Sequence, residues 1–224
     1  MAKESSCKGC SGASKYLIAY NSLQTLGWSY LLLQLLYYYL FAHNESLYET
    51  VKWSLIIFQN AAVLEVLHAA LKLVKSSPII TAVQVASRVI IVCGVLMATE
   101  TPRSSIGFTL CLVAWSITEI IRYSMYALSL VDAAPYALTW LRYSTFILLY
   151  PIGITGELFC LYWAQKEVGE NNLYSFKMPN ELNFIFNYQH VLVFLMLLYL
   201  PIFPPLYGHM FEQRRKVLGG KKKE

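Results

Sequence analysis

Apolar residues run along this chain in long blocks separated by short polar stretches. Each block holds roughly 20 or more mainly apolar residues, the length at which a helix spans the hydrocarbon core of a bilayer. The blocks run from about Tyr16 to Phe41, Trp53 to Val74, Pro78 to Ala98, Ile106 to Leu130, Tyr136 to Trp163 and Phe184 to Tyr207. The short alternating segments of a closed transmembrane barrel are not seen. The pattern predicts an all-α, polytopic integral membrane protein of six transmembrane helices. Its organisation is a polar tail over 1–15, a membrane domain over 16–211 and a basic tail over 212–224. Pro78 and Pro135 fall near helix starts, where proline is tolerated. Pro151 lies inside the fifth block and predicts a kink. Pro201, Pro204 and Pro205 predict a break or bend at the end of the sixth.

Composition agrees. The chain is 57% hydrophobic and 14% charged, against about 25% charged residues in soluble domains. Its formal net charge of +5 gathers at the two ends, where it suits anionic lipid better than a nucleic-acid groove. No apolar stretch with a small-residue cleavage site opens the chain, so the first block is expected to act as signal anchor. Lysines and arginines set the orientation. With six spans, Lys3, Lys8 and Lys15, then Lys72 and Lys75, then Arg214 to Lys216 and Lys221 to Lys223 share one side. Both termini are therefore expected in the cytosol. Asn44-Glu45-Ser46 is a sequon close to the membrane on the other side. The closing Lys221-Lys222-Lys223-Glu224 resembles a dilysine retrieval signal of the endoplasmic reticulum. The single CxxC of Cys7 and Cys10 has no second pair to complete a zinc site, and Cys93, Cys111 and Cys160 stand singly in apolar runs.

Ionisable groups inside spans are costly and mark a bundle interior or a cavity. Here they come in sets at helical spacing, which puts each set on one helix face. Glu65 and His68 lie on the second span, Gln84 and Arg88 on the third, and Glu119 and Arg122 on the fourth. Arg142, Tyr150 and Glu157 lie on the fifth. Helix-to-helix glue explains one or two such groups; a carboxylate or an arginine on four successive spans points to a site. The fifth span carries Tyr150-Pro151-Ile152-Gly153-Ile154-Thr155-Gly156-Glu157. Its proline cannot donate a backbone hydrogen bond, and its glycines admit a close approach. A phenol and a carboxyl two turns apart on such a helix can form an acid–base pair.

At these residues the sequence resembles the membrane 3-hydroxyacyl-CoA dehydratases of very-long-chain fatty acid elongation, also called protein-tyrosine-phosphatase-like. The resemblance rests on Ala62 to His68, Gln84 to Arg88, Trp115 to Tyr123, Leu141 to Ser144, and Tyr150 to Glu157. Tyr199-Leu200-Pro201 and Gln213-Arg214-Arg215 complete it. It implies a six-span reticulum enzyme with Tyr150 and Glu157 as catalytic pair. Glu65, Gln84, Arg88, Arg122, Arg142 and Gly153 then match its other functional positions. One departure is informative. Where the family commonly has a cysteine after the second-span histidine and then a proline, this chain has Ala69 and Lys75. Without a thiolate a phosphatase mechanism has no nucleophile.

The reaction implied is dehydration of a long-chain (3R)-3-hydroxyacyl-CoA to the trans-2-enoyl-CoA, with Glu157 as base and Tyr150 as acid; the reverse assignment stays open. Arg122 and Arg142, near one membrane face, are expected to meet the CoA phosphates, with Lys72 nearby. The chemistry calls for no cofactor and no metal. The family implies an elongase, a ketoacyl-CoA reductase and an enoyl-CoA reductase as partners. A non-catalytic scaffold and a lipid transporter are the competing classes. A scaffold has no need of both Tyr150 and Glu157, and a transporter should show interrupted helices in two related halves.

Overall fold

The computed structural model describes residues 12–42, 45–74, 76–176, 178 and 185–219. Among them every regular element is helical, apart from one isolated bridge between Phe176 and Phe186. The α-helices are α1 (Gly12–Phe41), α2 (Leu47–Ala61), α3 (Val63–Ala70), α4 (Pro78–Val89), α5 (Ile106–Leu130), α6 (Tyr136–Arg142), α7 (Phe146–Asn171) and α8 (Tyr188–Leu218). A π-helical turn, Ile90–Leu96, extends α4, and a 3-10 turn, Thr101–Ser104, precedes α5. Five helical runs are long and apolar enough to cross a membrane: Leu47–Ala70, Pro78–Leu96, Ile106–Leu130, Phe146–Asn171 and Tyr188–Leu218.

Helix α1 is not among the five, although it has 30 residues: Asn21, Gln24, Gln34 and its several tyrosines lower its hydropathy. Asn21 and Gln24 are buried on its inner face with Leu17, Trp28, Leu31 and Leu35, at helical spacing. Outward it exposes Leu23, Leu26, Tyr30, Leu33, Tyr37 and Leu40. Asn21 and Gln24 are thus enclosed by protein while most of the outward side is apolar or aromatic, the reverse of a soluble helix. Gly27 leaves the space that the Phe58 ring of α2 occupies.

Helix α5 is the axis of the bundle, packed between α1 and α7. Phe108, Cys111, Leu112, Trp115 and Tyr123 on it are almost wholly buried. Its crossing with α7 is made by two glycines. A Cβ on Gly156 would stand 2.8 Å from both the Cys111 nitrogen and the Gly107 oxygen. Small residues of this kind let membrane helices approach backbone to backbone.

Local chemistry explains several ends. Glu167 of α7 accepts from the backbone nitrogens of Glu100 (3.0 Å) and Thr101 (2.7 Å), tying down the turn before α5. Arg103 donates to the carbonyls of Leu96 and Met97, which end the π turn, and stacks over Tyr48. Asn187 caps α8 by accepting from the nitrogens of Gln189 and His190.

The structure corrects four expectations. The second span begins earlier, at Leu47, ends at Ala70, and tightens at Ala62, whose nitrogen bonds back to Gln59 only three residues away. The third ends at Leu96 in π geometry, and the Tyr188 hydroxyl donates to the Gly94 carbonyl there (2.7 Å). The fifth does not run from Tyr136 to Trp163. It is broken at Tyr143 to Thr145 into the short α6 and the long α7, which continues to Asn171. The sixth is not broken by its prolines: α8 stays helical through Pro201, Pro204 and Pro205 to Leu218. The CxxC cysteines, Asn44 of the sequon and the C-terminal Lys221 to Glu224 lie outside the described residues.

Candidate active site

A cavity of about 570 Å³ opens inside the bundle, walled by α2, α4 and its π turn, α5, the end of α6, α7 and α8. Of the residues singled out in the sequence, Gln84, Arg88, Glu119, Arg122, Arg142, Tyr150, Gly153 and Glu157 line it; Glu65, His68 and Lys72 do not.

Glu157 lies on α7 three residues beyond Ile154, just past the Gly156 crossing, and is 6% exposed. Both of its oxygens are held. Oε1 accepts from Nε1 of Trp115 on α5 (3.0 Å), and Oε2 accepts from the Tyr199 hydroxyl on α8 (2.6 Å). A side chain that only accepts, at both oxygens, is arranged as a carboxylate. Two turns earlier Tyr150 stands on the same cavity wall. Its ring is stacked nearly parallel with Phe203 (5.4 Å, 11°) and Tyr207 (5.8 Å, 8°) of α8. That stacking fixes the ring plane, and the hydroxyl has no hydrogen-bond partner among the described residues. Gly153, between the two, is buried where a Cβ would touch that of Ala114 at 3.4 Å.

The arginines separate into two kinds. Glu119, 1% exposed, binds both Arg88 and Arg122: Arg88 Nη1 donates to its Oε1, and Arg122 Nε donates to its Oε2 at 2.8 Å. Arg122 Nη2 then reaches Glu65 Oε1 at 3.0 Å, and the Tyr123 hydroxyl donates to that same oxygen. Two arginines and two carboxylates thus close on one another with no net charge. Arg122 keeps only Nη1 for a ligand. Arg142 is different. Its Nη2 donates to the Tyr126 hydroxyl (2.9 Å), its guanidinium lies over the Tyr126 ring (4.6 Å), and no carboxylate pairs with it among the described residues.

The predicted pairs are partly regrouped. Glu65 and His68 share a helix face but part company: Glu65 serves Arg122, while His68 meets the Tyr16 hydroxyl at 3.0 Å. Sequence reasoning passed over Trp115 and Tyr199 as site residues, although both stand in segments that carry the resemblance. It noted Glu119 without placing it in the site. Their residue types gave no signal, since a tryptophan or tyrosine in a span reads as packing or as an interfacial anchor.

Comparison with known proteins agrees on one group. The family model described as protein tyrosine phosphatase-like protein, PTPLA, matches residues 59–220. The very-long-chain (3R)-3-hydroxyacyl-CoA dehydratase hpo-8 of Caenorhabditis elegans is 48% identical over 214 residues, covering 93% of this chain and 97% of its own. The very-long-chain (3R)-3-hydroxyacyl-CoA dehydratase 2 of Mus musculus is 44% identical over 207 residues, 92% of this chain and 82% of that protein. The very-long-chain (3R)-3-hydroxyacyl-CoA dehydratase PASTICCINO 2 of Arabidopsis thaliana is 37% identical over 210 residues, 93% and 95% of the two chains. No solved structure matches.

The Glu119 bridge yields a stability prediction. Removing one partner of a buried ion pair leaves an uncompensated charge and costs about 3–5 kcal/mol, whereas an exposed pair is worth about 0–1 kcal/mol. Glu119→Gln should therefore lower the unfolding midpoint in detergent sharply. Glu49→Gln, which breaks the more exposed pair with Lys52, should leave it within a degree or two. Equal midpoints for the two variants would mean that Arg88 and Arg122 find other partners.

Proposed function

Because this chain belongs to the protein tyrosine phosphatase-like family, PTPLA, and aligns over nearly its whole length with named dehydratases, we infer that it is a lyase of fatty acid elongation. It dehydrates long- and very-long-chain (3R)-3-hydroxyacyl-CoA to the trans-2-enoyl-CoA, working in a membrane on an acyl-CoA substrate. The observation behind the mechanism is a doubly held carboxylate and an unengaged phenol on one cavity wall.

Glu157 is the base. It takes a proton from C2 beside the thioester, and that electron pair becomes the C2–C3 double bond. The C3–O bond breaks, and the hydroxyl leaves as water with the proton of Tyr150. A net proton transfer from Glu157 to the tyrosinate restores both groups. The hydrogen bonds from Trp115 and Tyr199 support this assignment over its reverse, because both oxygens of Glu157 accept. The free Tyr150 hydroxyl is left to face the departing oxygen. Gly153 keeps the wall between them flat for the reacting carbons. Gln84 and Arg88 bound the cavity on α4, and Glu65 acts through Arg122. Arg142 meets the CoA phosphates at the cavity mouth, assisted by Nη1 of Arg122. The chemistry requires no metal and no cofactor.

The chain crosses the membrane six times, α1 making the sixth span on the strength of its apolar outer face. Both termini are cytosolic, and the protein resides in the endoplasmic reticulum, as the basic segments and the dilysine-like end suggest. An elongase, a ketoacyl-CoA reductase and an enoyl-CoA reductase are the partners the elongation cycle implies.

Purified protein in detergent should convert a synthetic (3R)-3-hydroxyacyl-CoA without additions; no turnover would return the scaffold reading. Tyr150→Phe and Glu157→Gln should each fold and bind substrate, yet lose about 10²- to 10⁴-fold in kcat, the usual contribution of a positioned acid or base. The double variant should lose far less than the product of the two, since groups serving one step are not additive. A Tyr150→Phe enzyme of normal kcat would make the phenol a packing residue.

Arg142→Gln should raise KM more than it lowers kcat, because phosphate contacts are made equally in ground and transition states. A collapsed kcat at constant KM would instead put Arg142 at the reacting carbons. On sealed microsomes, protease added outside should remove tags from both termini. A protected C-terminal tag would overturn the topology and the retrieval signal together.

A further inference from the structure

Gln59 on α2 is 1% exposed and lines the cavity, and its Oε1 has no hydrogen-bond partner. Its Nε2 makes no hydrogen bond among the described residues either. An enclosed amide oxygen without a partner is unusual, because an unmet polar group retains its full desolvation cost. Gln24, enclosed nearby, also has an unpartnered Oε1, but its Nε2 is held by the Tyr20 hydroxyl and the Phe58 carbonyl and it does not line the cavity. Among the unpartnered buried side-chain atoms of the described residues, that of Gln59 is the one on a cavity-lining residue.

Its depth can be read from the helices. Glu157 is bonded to Trp115 of α5, and Glu65 of α3 is bonded to Arg122 of α5, which sets α7 and α3 against α5. Gln59 stands six residues before Glu65, and Trp115 seven before Arg122. At about 1.5 Å per residue Gln59 and Glu157 therefore lie at about the same depth, both on the cavity wall.

We propose that Gln59 is a substrate-binding residue that recognises the 3-hydroxyacyl thioester itself, its amide carbonyl accepting from the 3-hydroxyl and its amide N–H donating to the thioester carbonyl. A primary amide offers acceptor and donor side by side. The substrate offers the complementary donor on C3 and acceptor on C1, one carbon between them. The enoyl product keeps the acceptor and has lost the donor. Gln59 Oε1 is then unpartnered again, which favours release of product over substrate. Sites built to bond a hydroxyl discriminate strongly against analogues that lack it, because their own polar group is left unmet.

The inference rests on the dehydratase reading, and the experiment separates the two. Gln59→Leu and Gln59→Met are compared with the wild type in detergent, by dehydration kinetics and by competitive inhibition with a saturated acyl-CoA of the same chain length. A wild type without dehydratase activity would refute the function and not merely this residue. With an active wild type, both variants should fold with unchanged or higher unfolding midpoints. Their kcat/KM should fall roughly 10- to 100-fold for one or two hydrogen bonds lost, while the saturated competitor, which keeps the thioester carbonyl but has no 3-hydroxyl, should weaken distinctly less. Unchanged kcat/KM would overturn the proposal and make Gln59 the site of a buried water. An equal weakening of the saturated acyl-CoA would also overturn it, since the loss would then be one of cavity shape. So would failure of both variants to fold, because an amide without protein partners should not be needed by the fold.

Discussion

The buried ion pairs among the described residues are built around one carboxylate, Glu119, and the two arginines it holds. In hydrocarbon a polar group cannot borrow a partner from water, so it must find one inside the protein. Glu119 on α5 binds Arg88 of α4 and Arg122 of its own helix, and Arg122 carries the connection to Glu65 of α3. Three helices are locked in register by charges that cancel. The chain of contacts extends further, since the Arg88 guanidinium lies over the Trp115 ring at 5.8 Å and Trp115 donates to Glu157. A rigid polar spine therefore reaches from the interior of α3 to the carboxylate on α7.

Neutralising that set leaves two charges of the cavity outside it. Glu157 lies deep, with hydrogen bonds but no cation bonded to it, and Arg142 lies at the junction of α6 and α7 with only aromatic company. A long acyl-CoA has the matching polarity along its length: a reacting carbon whose proton must be removed, then an anionic head. Helix α8 completes the arrangement from the side. It supplies Tyr199 to the carboxylate and Phe203 and Tyr207 to the face of Tyr150, while exposing Val193, Phe194, Leu197 and Leu200 outward. One helix thus shields the site from lipid and orients both members of the pair.

The break at Tyr143 to Thr145 was not legible from the amino acids in order, because no proline or glycine marks it and the apolar run continues across it. The π turn after Val89 was equally hidden, since Ile90 to Leu96 reads as uninterrupted helix. Of the break or bend expected at the three prolines of α8, the break does not occur. Proline ends a helix when the freed carbonyls must meet water or nothing, yet membrane helices tolerate it where neighbours supply contacts.

Block length and the scarcity of charge were enough to establish membrane helices, because a spanning segment must meet the bilayer thickness whatever it packs against. Helical spacing was enough to group Gln84 with Arg88, and Tyr150 with Glu157, because side chains three, four or seven residues apart share a face of any α-helix. Partnership between helices was beyond it. That Arg122 is occupied by two carboxylates while Arg142 meets none among the described residues, and that Trp115 and Tyr199 hold Glu157, depends on which faces meet. Those meetings are decided by where glycines such as Gly107 and Gly156 let two backbones close together, a fact of three-dimensional packing that no single helix contains.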